Sequence, residues 1–250
     1  MLVHGDGGSI FDWTFSAFGA LAADFRAIAV DRPGFGYSDS PPVRGSPFLQ
    51  ARLLRELLVP MGLSEPVLVG HSRGASVVLA YASLFPDELA GVVDLAGQPY
   101  VQDSPPLHFR LLTWPILGQI LAETVYVPFS ADQIEAGIRA AFEPEGTPPE
   151  EYVAAYVAME RRPAQLRAHA ADSVRADEMH ARLRPAYPDL ECPLAVVHGT
   201  DDQNVPYEQA TRLVEEAPNS RLFAVAGAGH ELAFYHPTVL LQAIDWVRRG

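Results

Sequence analysis

Three residue types in this chain could together build a nucleophile: a serine, a histidine to take its proton, and an aspartate to orient the histidine. Ser72 lies in Gly70-His71-Ser72-Arg73-Gly74, between the apolar run Val67-Leu68-Val69 and a segment with helical apolar spacing. A strand turning into a helix with so few residues to spare needs small residues on either side, because a side chain there would collide with neighbouring backbone. Such a turn lifts the serine to the mouth of a sheet, at a helix start whose free N–H groups favour developing negative charge. His230 ends the small-residue loop Ala226-Gly227-Ala228-Gly229, and Asp201 and Asp202 follow an apolar run ending at His198-Gly199. Singly, a loop histidine or aspartate is an ordinary surface residue or helix cap. Their placement after successive strands, in the order serine, acid, histidine, favours the catalytic reading, with either aspartate able to serve.

The elements that must hold these residues can be read from periodicity. Met1–His4 reads as the last part of a strand, and Gly5-Asp6-Gly7-Gly8 as a tight loop after it. A helix is expected over Trp13–Phe25, a strand over Arg26–Val30 and the loop Asp31-Arg32-Pro33-Gly34-Phe35-Gly36-Tyr37-Ser38 next. A second helix spans Phe48–Met61, the elbow helix runs to about Phe85, and Leu89–Gly97 supplies another strand. Short buried strands alternating with helices imply a mostly parallel sheet covered on both faces, with ligands at the carboxyl ends of the strands. His4-Gly5-Asp6, the Asp31 loop and Ser72 all fall at that edge.

From Gln98 to about Pro193 the alternation stops. Helical patches are expected over Leu107–Trp114, Ile116–Thr124, Ala131–Phe142, Pro149–Met159 and Ala164–Arg184, broken at Glu143–Pro149. This stretch reads as a helical insertion over the sheet's carboxyl edge, with some of Phe109, Trp114, Phe129, Phe142, Tyr152 and Tyr156 lining a pocket. Strands return at Leu194–His198 and Arg221–Val225, with helices over Pro206–Glu216 and Pro237–Arg249.

Composition narrows the function classes. The 250 residues carry a formal net charge of -13, which argues against nucleic acid or an anionic membrane as partner. The basic residues are arginines scattered along the chain. Cys192 is the only cysteine, so no intrachain disulfide or cysteine-based metal cluster can form. His108, His169, His180 and His236 lack metal-ligand spacing, so no metal is expected. No apolar run is long enough to span a bilayer, and Met1-Leu2-Val3-His4-Gly5 does not open a signal peptide; a cytoplasmic location is expected. His71 reads as a structural neighbour of the elbow and His198 as strand-end packing.

On His4-Gly5-Asp6-Gly7-Gly8, the Asp31–Ser38 loop, Gly70–Gly74, Gly199-Thr200-Asp201-Asp202 through Pro206, and Gly229-His230, the chain resembles the α/β-hydrolase fold. Within it, the chain is similar to the cap-bearing branch of esterases, lactonases, carbon–carbon bond hydrolases and cofactor-free peroxidase-like enzymes. The resemblance implies a core of residues 1–97 and 193–250 and a cap of 98–192. Its register selects Asp202 over Asp201 as the acid, and its oxyanion hole maps onto the backbone N–H groups of Asp6 and Arg73. The family's first two strands are missing ahead of His4, which would leave the strand at Arg26–Val30 as a sheet edge.

Arg73 departs from the family pattern, which has an apolar residue or glutamine there. Its side chain is expected to face packing and solvent; the alternative is a reach to a carboxylate on the substrate or in the cap. His4 is expected to brace the oxyanion loop, and His4, Trp114 and Arg161 are candidate substrate contacts.

The implied activity is hydrolysis of a carboxylic ester or lactone by Ser72, Asp202 and His230, without cofactor, on a small, partly apolar substrate. A serine at the elbow argues against haloalkane dehalogenase or epoxide hydrolase chemistry. Alternatives are carbon–carbon hydrolysis of a diketone-like acid, with Arg73, Arg161 or Arg162 near the site, peroxidase-like chemistry, or an inactive binding relative. A homodimer is a candidate assembly.

Overall fold

The structure is a computed structural model that describes residues 1–41, 44–100 and 105–249. Its centre is a six-stranded, all-parallel sheet: β1 (Leu2–Val3), β2 (Ala29–Val30), β3 (Val67–His71), β4 (Gly91–Leu95), β5 (Leu194–Gly199) and β6 (Ser220–Val225). The strand order is β2-β1-β3-β4-β5-β6. Register runs Leu2 to Val69, Val69 to Val93 and Val93 to Ala195, so carboxyl ends align along one edge.

Strand side chains alternate between faces, and both faces are covered. Leu68, Val92 and Val196 point to a core shared with α3 (Pro47–Leu58), α4 (Arg73–Leu84) and α11 (Tyr207–Glu216). Their neighbours Val69, Val93 and Val197 point to the opposite core, closed by α1 (Phe11–Thr14), α2 (Phe18–Asp24) and α13 (Pro237–Val247). Each such fully buried aliphatic side chain contributes about 1.5–3 kcal/mol over an exposed one.

Between β4 and β5 the described residues form helices and turns only. These are α5 (Leu107–Leu112), α6 (Leu117–Leu121), a π-helical turn at Ala122–Tyr126, α7 (Val127–Phe129), α8 (Ala131–Ala141), α9 (Glu150–Glu160) and α10 (Pro163–Leu183). A short α12 (Leu232–Tyr235) follows the histidine loop. No helix among the described residues is long and apolar enough to cross a membrane.

Two expectations need correction. The single helix over Trp13–Phe25 is two helices, α1 and α2, because the Ser16 hydroxyl bonds back to the carbonyls of Asp12 and Trp13 and competes with helix continuation. The strand over Arg26–Val30 shrinks to Ala29–Val30, because its partner β1 offers only Leu2 and Val3 for pairing. β2 stands at the sheet edge, as the sequence implies.

Candidate active site

The elbow follows from sterics. A Cβ on Gly70 would lie 2.4 Å from the Gly74 carbonyl oxygen, and one on Gly74 would lie 2.5 Å from that of Val3. Neither backbone can retreat from its neighbour, so only glycine fits at both. Between them Ser72 takes φ 51°, ψ -119°, a conformation that costs of order 1–3 kcal/mol for a side-chain-bearing residue. The surrounding contacts hold it: Ser72 N–H donates to the Leu95 carbonyl at 2.9 Å, and the Ser72 carbonyl accepts from Ala75 N–H at 3.0 Å. The result is a serine partly open to solvent at the amino end of α4, facing a cavity of about 340 Å³. Its hydroxyl makes no hydrogen bond among the described residues, as is common before substrate tightens a site.

Asp202 and His230 come together at this cavity. His230 Nδ1–H donates to Asp202 Oδ2 at 2.8 Å, while Asp202 Oδ1 accepts from the N–H groups of Asn204 and Val205 at 2.8 and 2.9 Å. Burial alone would raise the Asp202 pKa; His230, His198 and the Val205 N–H outweigh it and hold the carboxyl well below the usual range. Burial lowers the His230 pKa, but Asp202 more than offsets this and raises it above 6.5. Asp201 is exposed and accepts from the Thr200 hydroxyl, so of the two aspartates it is Asp202 that meets His230.

His198 is more than strand-end packing. Fully buried, it donates Nε2–H to the Val205 carbonyl at 2.9 Å and lies 3.3 Å from Asp202 Oδ2, a second histidine on the same carboxylate. The signal was its place four residues before Asp202. His71 stacks against His230 with ring centroids 4.9 Å apart, and its Nε2–H donates to the His230 carbonyl at 3.3 Å. Burial, then the neighbouring His230, pushes His71 down to about 3, so it is a neutral prop.

On the other side of Ser72, the Gly5–Gly8 loop is pinned from four directions. Arg32 N–H donates to His4 Nε2, which leaves His4 Nδ1–H to donate to the Gly5 carbonyl at 2.9 Å. The Arg32 guanidinium donates to the same carbonyl at 2.8 Å while pairing with Asp172 of α10. Tyr156 of α9 donates to the Asp6 carbonyl at 3.2 Å, and Gln165 of α10 to the Gly7 carbonyl at 2.6 Å. The backbone N–H groups of Asp6 and Arg73 have no partner among the described residues; Arg73 follows the serine in the chain, and Asp6 lines the same cavity.

Arg73 meets the expectation of packing but not that of solvent: its side chain donates to Asp6 Oδ2 at 3.1 Å and lies 3.3 Å from His180 Nε2. Burial works against the Asp6 charge, but Arg73, His169 and Arg32 outweigh it and hold the carboxyl at about 2.

The three candidate substrate contacts lie outside the cavity. His4 is wholly buried under the loop it braces. Trp114 is on the surface, 54% exposed, with its backbone carbonyl accepting from Arg167. Arg161 is drawn away by the Val127 carbonyl at 3.0 Å. Arg162 binds the Gly36 carbonyl and stacks over Tyr37. Of the aromatic residues proposed for the pocket, Tyr152 and Tyr156 line it, whereas Phe129 is exposed.

Four lining residues carried no signal in the sequence beyond adjacency to the motifs. Glu231 follows His230. Asp12 lies in the first turn of α1, and its Oδ1 accepts from Ser9 N–H and Tyr152 O–H, both at 3.3 Å. Glu160 and His169 form an ion pair at 2.6 Å, in which the carboxylate outweighs burial and raises His169 to about 9. His71, His230 and Glu231 bring one ligand-type atom each within 4.8 Å, the nearest approach to a metal set among the described residues. A metal there would take the His230 nitrogen a base needs.

A family model for the alpha/beta hydrolase fold matches residues 1–237. The chain is 27% identical over 249 residues to a 2-hydroxy-6-oxononadienedioate/2-hydroxy-6-oxononatrienedioate hydrolase of Burkholderia vietnamiensis, covering 94% of this chain and 82% of that one. It is 26% identical over 237 residues to a 2-hydroxy-6-oxo-6-phenylhexa-2,4-dienoate hydrolase of Comamonas testosteroni, covering 92% and 80%. Among solved structures, a thermophilic esterase from Thermogutta terrifontis superposes with a TM-score of 0.75 at 25% identity, covering 99% of this chain and 88% of that one. With the elbow, the parallel sheet and a family match over nearly its whole length, the chain belongs to the alpha/beta hydrolase fold family and is a hydrolase.

Proposed function

We propose that this protein cleaves a carboxylic ester or lactone through an acyl-enzyme on Ser72. The observation that carries the reading is the Asp202–His230 hydrogen bond at the cavity that Ser72 faces from its strained elbow. Ser72 Oγ attacks the carbonyl carbon as its proton passes to His230 Nε2, the nitrogen that Asp202 leaves free. The N–H groups of Asp6 and Arg73 hold the oxyanion, in a loop kept rigid by Arg32 and by the Arg73 side chain. His230 then protonates the departing alcohol. Water, deprotonated by the same histidine, releases the acid and restores the serine. Residues 98–192 act as a cap, supplying Tyr152, Tyr156 and Ile138 to the cavity wall and restricting water.

A second reading, carbon–carbon bond hydrolysis of a diketone-like acid, is favoured by the names of the two sequence relatives. It would call for a cation to meet the substrate carboxylate, and among the described residues no arginine lines the cavity. The test is a panel of p-nitrophenyl butyrate, a γ-lactone and a 2-hydroxy-6-oxodienoate, with wild type and Ser72→Ala. Ester or lactone turnover that falls at least about 10⁴-fold in S72A is expected. Cleavage of the dienoate alone would replace the reading with the second one, and equal rates in the two proteins would end both.

A further inference from the structure

The cavity beside Ser72 is charged in an unbalanced way. Four carboxyl side chains line it, those of Asp6, Asp12, Glu160 and Glu231. Two are neutralised inside the protein: Asp6 by Arg73, and Glu160 by His169. The other two are not. Asp12 makes hydrogen bonds only to a backbone N–H and a tyrosine hydroxyl, neither of them a cation. Glu231 is only 6% exposed, and its carboxyl makes no hydrogen bond or ion pair among the described residues. A buried polar group without a partner costs free energy, and a buried carboxyl without one costs more. A carboxyl lining a cavity in this state is a site waiting for a donor.

We infer that the substrate of this hydrolase carries a cationic nitrogen, an ammonium or amidinium group, which Glu231 and Asp12 bind in the cavity while the ester carbonyl sits at Ser72. The inference rests on the hydrolase reading above and adds to it the charge of the substrate. Three observations converge on it. No arginine lines the cavity among the described residues, and His169, which does, is already paired with Glu160, so an anionic substrate meets no unpaired positive charge there. Tyr152 and Tyr156 line the same wall, aromatic side chains of the kind that suits a cationic group. Burial also pushes Glu231 up to about 8 and Asp12 up to about 7, so near neutral pH these carboxyls hold protons that an approaching cation would displace. The sequence relatives, by contrast, are named for acids. This cavity is built for the opposite charge.

Two matched series test this. One is p-nitrophenyl esters whose acyl chains end in trimethylammonium, tert-butyl or carboxylate; the other is acetate esters with the same three ends on the alcohol side. In at least one series kcat/KM should fall in the order cation, neutral, anion, with the cation favoured about tenfold or more over its neutral isostere. Glu231→Gln should bring that ratio to within about twofold, and Asp12→Asn should reduce it less, since Asp12 already has two hydrogen-bond donors. Equal or reversed preference in wild type, with hydrolysis still dependent on Ser72, overturns the inference and leaves the hydrolase reading standing. Should wild type cleave no ester, calorimetric binding of butyltrimethylammonium to wild type and E231Q decides the matter. Binding weakened about tenfold or more by the substitution supports the cation site. Binding that is absent, or equal in the two proteins, overturns it. Wild-type substrate preference requires no variant to fold, and circular dichroism verifies the two that are made.

Discussion

Asp202 and Glu231 sit on either side of His230, both buried, and their surroundings are opposite. Asp202 receives two backbone N–H groups, His230 and His198, and these outweigh burial. Glu231 receives none, and burial raises it to about 8. The difference lies in the loops that carry them. Asp202 occupies a turn, where the N–H groups of Asn204 and Val205 fold back on its side chain; Glu231 heads the short helix α12 and points its carboxyl at a cavity. One carboxylate is finished by the fold and fit to orient a base. The other is left for something the fold does not supply.

Breaking the Asp202 side should have the larger effect. Asp202→Asn should lower kcat about 10³–10⁴-fold, because the amide can donate to Nδ1 and fix the wrong tautomer of His230. The acid limb of the wild-type kcat/KM profile should lie above pH 6.5, since His230 must be neutral to act as base and Asp202 raises its pKa. In D202N that limb should move to lower pH, and steady-state rates from pH 5 to 9 in both proteins check it.

The Glu231 side is sharpened by stability, where the two groups have opposite sign. Asp202 has a depressed folded pKa, so its contribution is present above about pH 3.8 and is lost as pH falls. Glu231 has a raised one, so its contribution is full below about pH 4.5 and is lost as pH climbs to about 8. Thermal melts should therefore find E231Q more stable than wild type by several degrees at pH 9, and nearly equal to it at pH 4. D202N should be less stable than wild type at both neutral and alkaline pH. A melting temperature for E231Q below wild type at pH 9 would mean that Glu231 already has a partner.

The sequence made the elbow and its companions legible for a physical reason. Gly70 and Gly74 are required by contacts under 2.6 Å that no side chain tolerates, so the motif is written in residue type. Strand ends followed by loops placed Asp202, His230 and the Gly5 loop at one edge, because a parallel sheet leaves little freedom there. What stayed hidden depends on contacts across the chain. Arg73 meets Asp6, Arg32 meets Asp172, and Glu160 meets His169 only after the helices of 107–183 pack over the sheet. The same packing turned Trp114 and Arg161 away from the cavity. Their residue types were suitable, but Trp114 lies in the turn beyond α5 and Arg161 just past α9, where the direction of a side chain is set by packing that one sequence does not display.

The proposed reaction depends most on Ser72 being the group that is acylated. Treating the protein with a fluorophosphonate and mapping the adduct by mass spectrometry tests this without knowledge of the natural substrate. One phosphonyl group per chain on the peptide containing Ser72, with no labelling in His230→Ala under the same conditions, is the expected result. An unlabelled Ser72 in protein that hydrolyses esters, or an adduct carried by another residue, would contradict it.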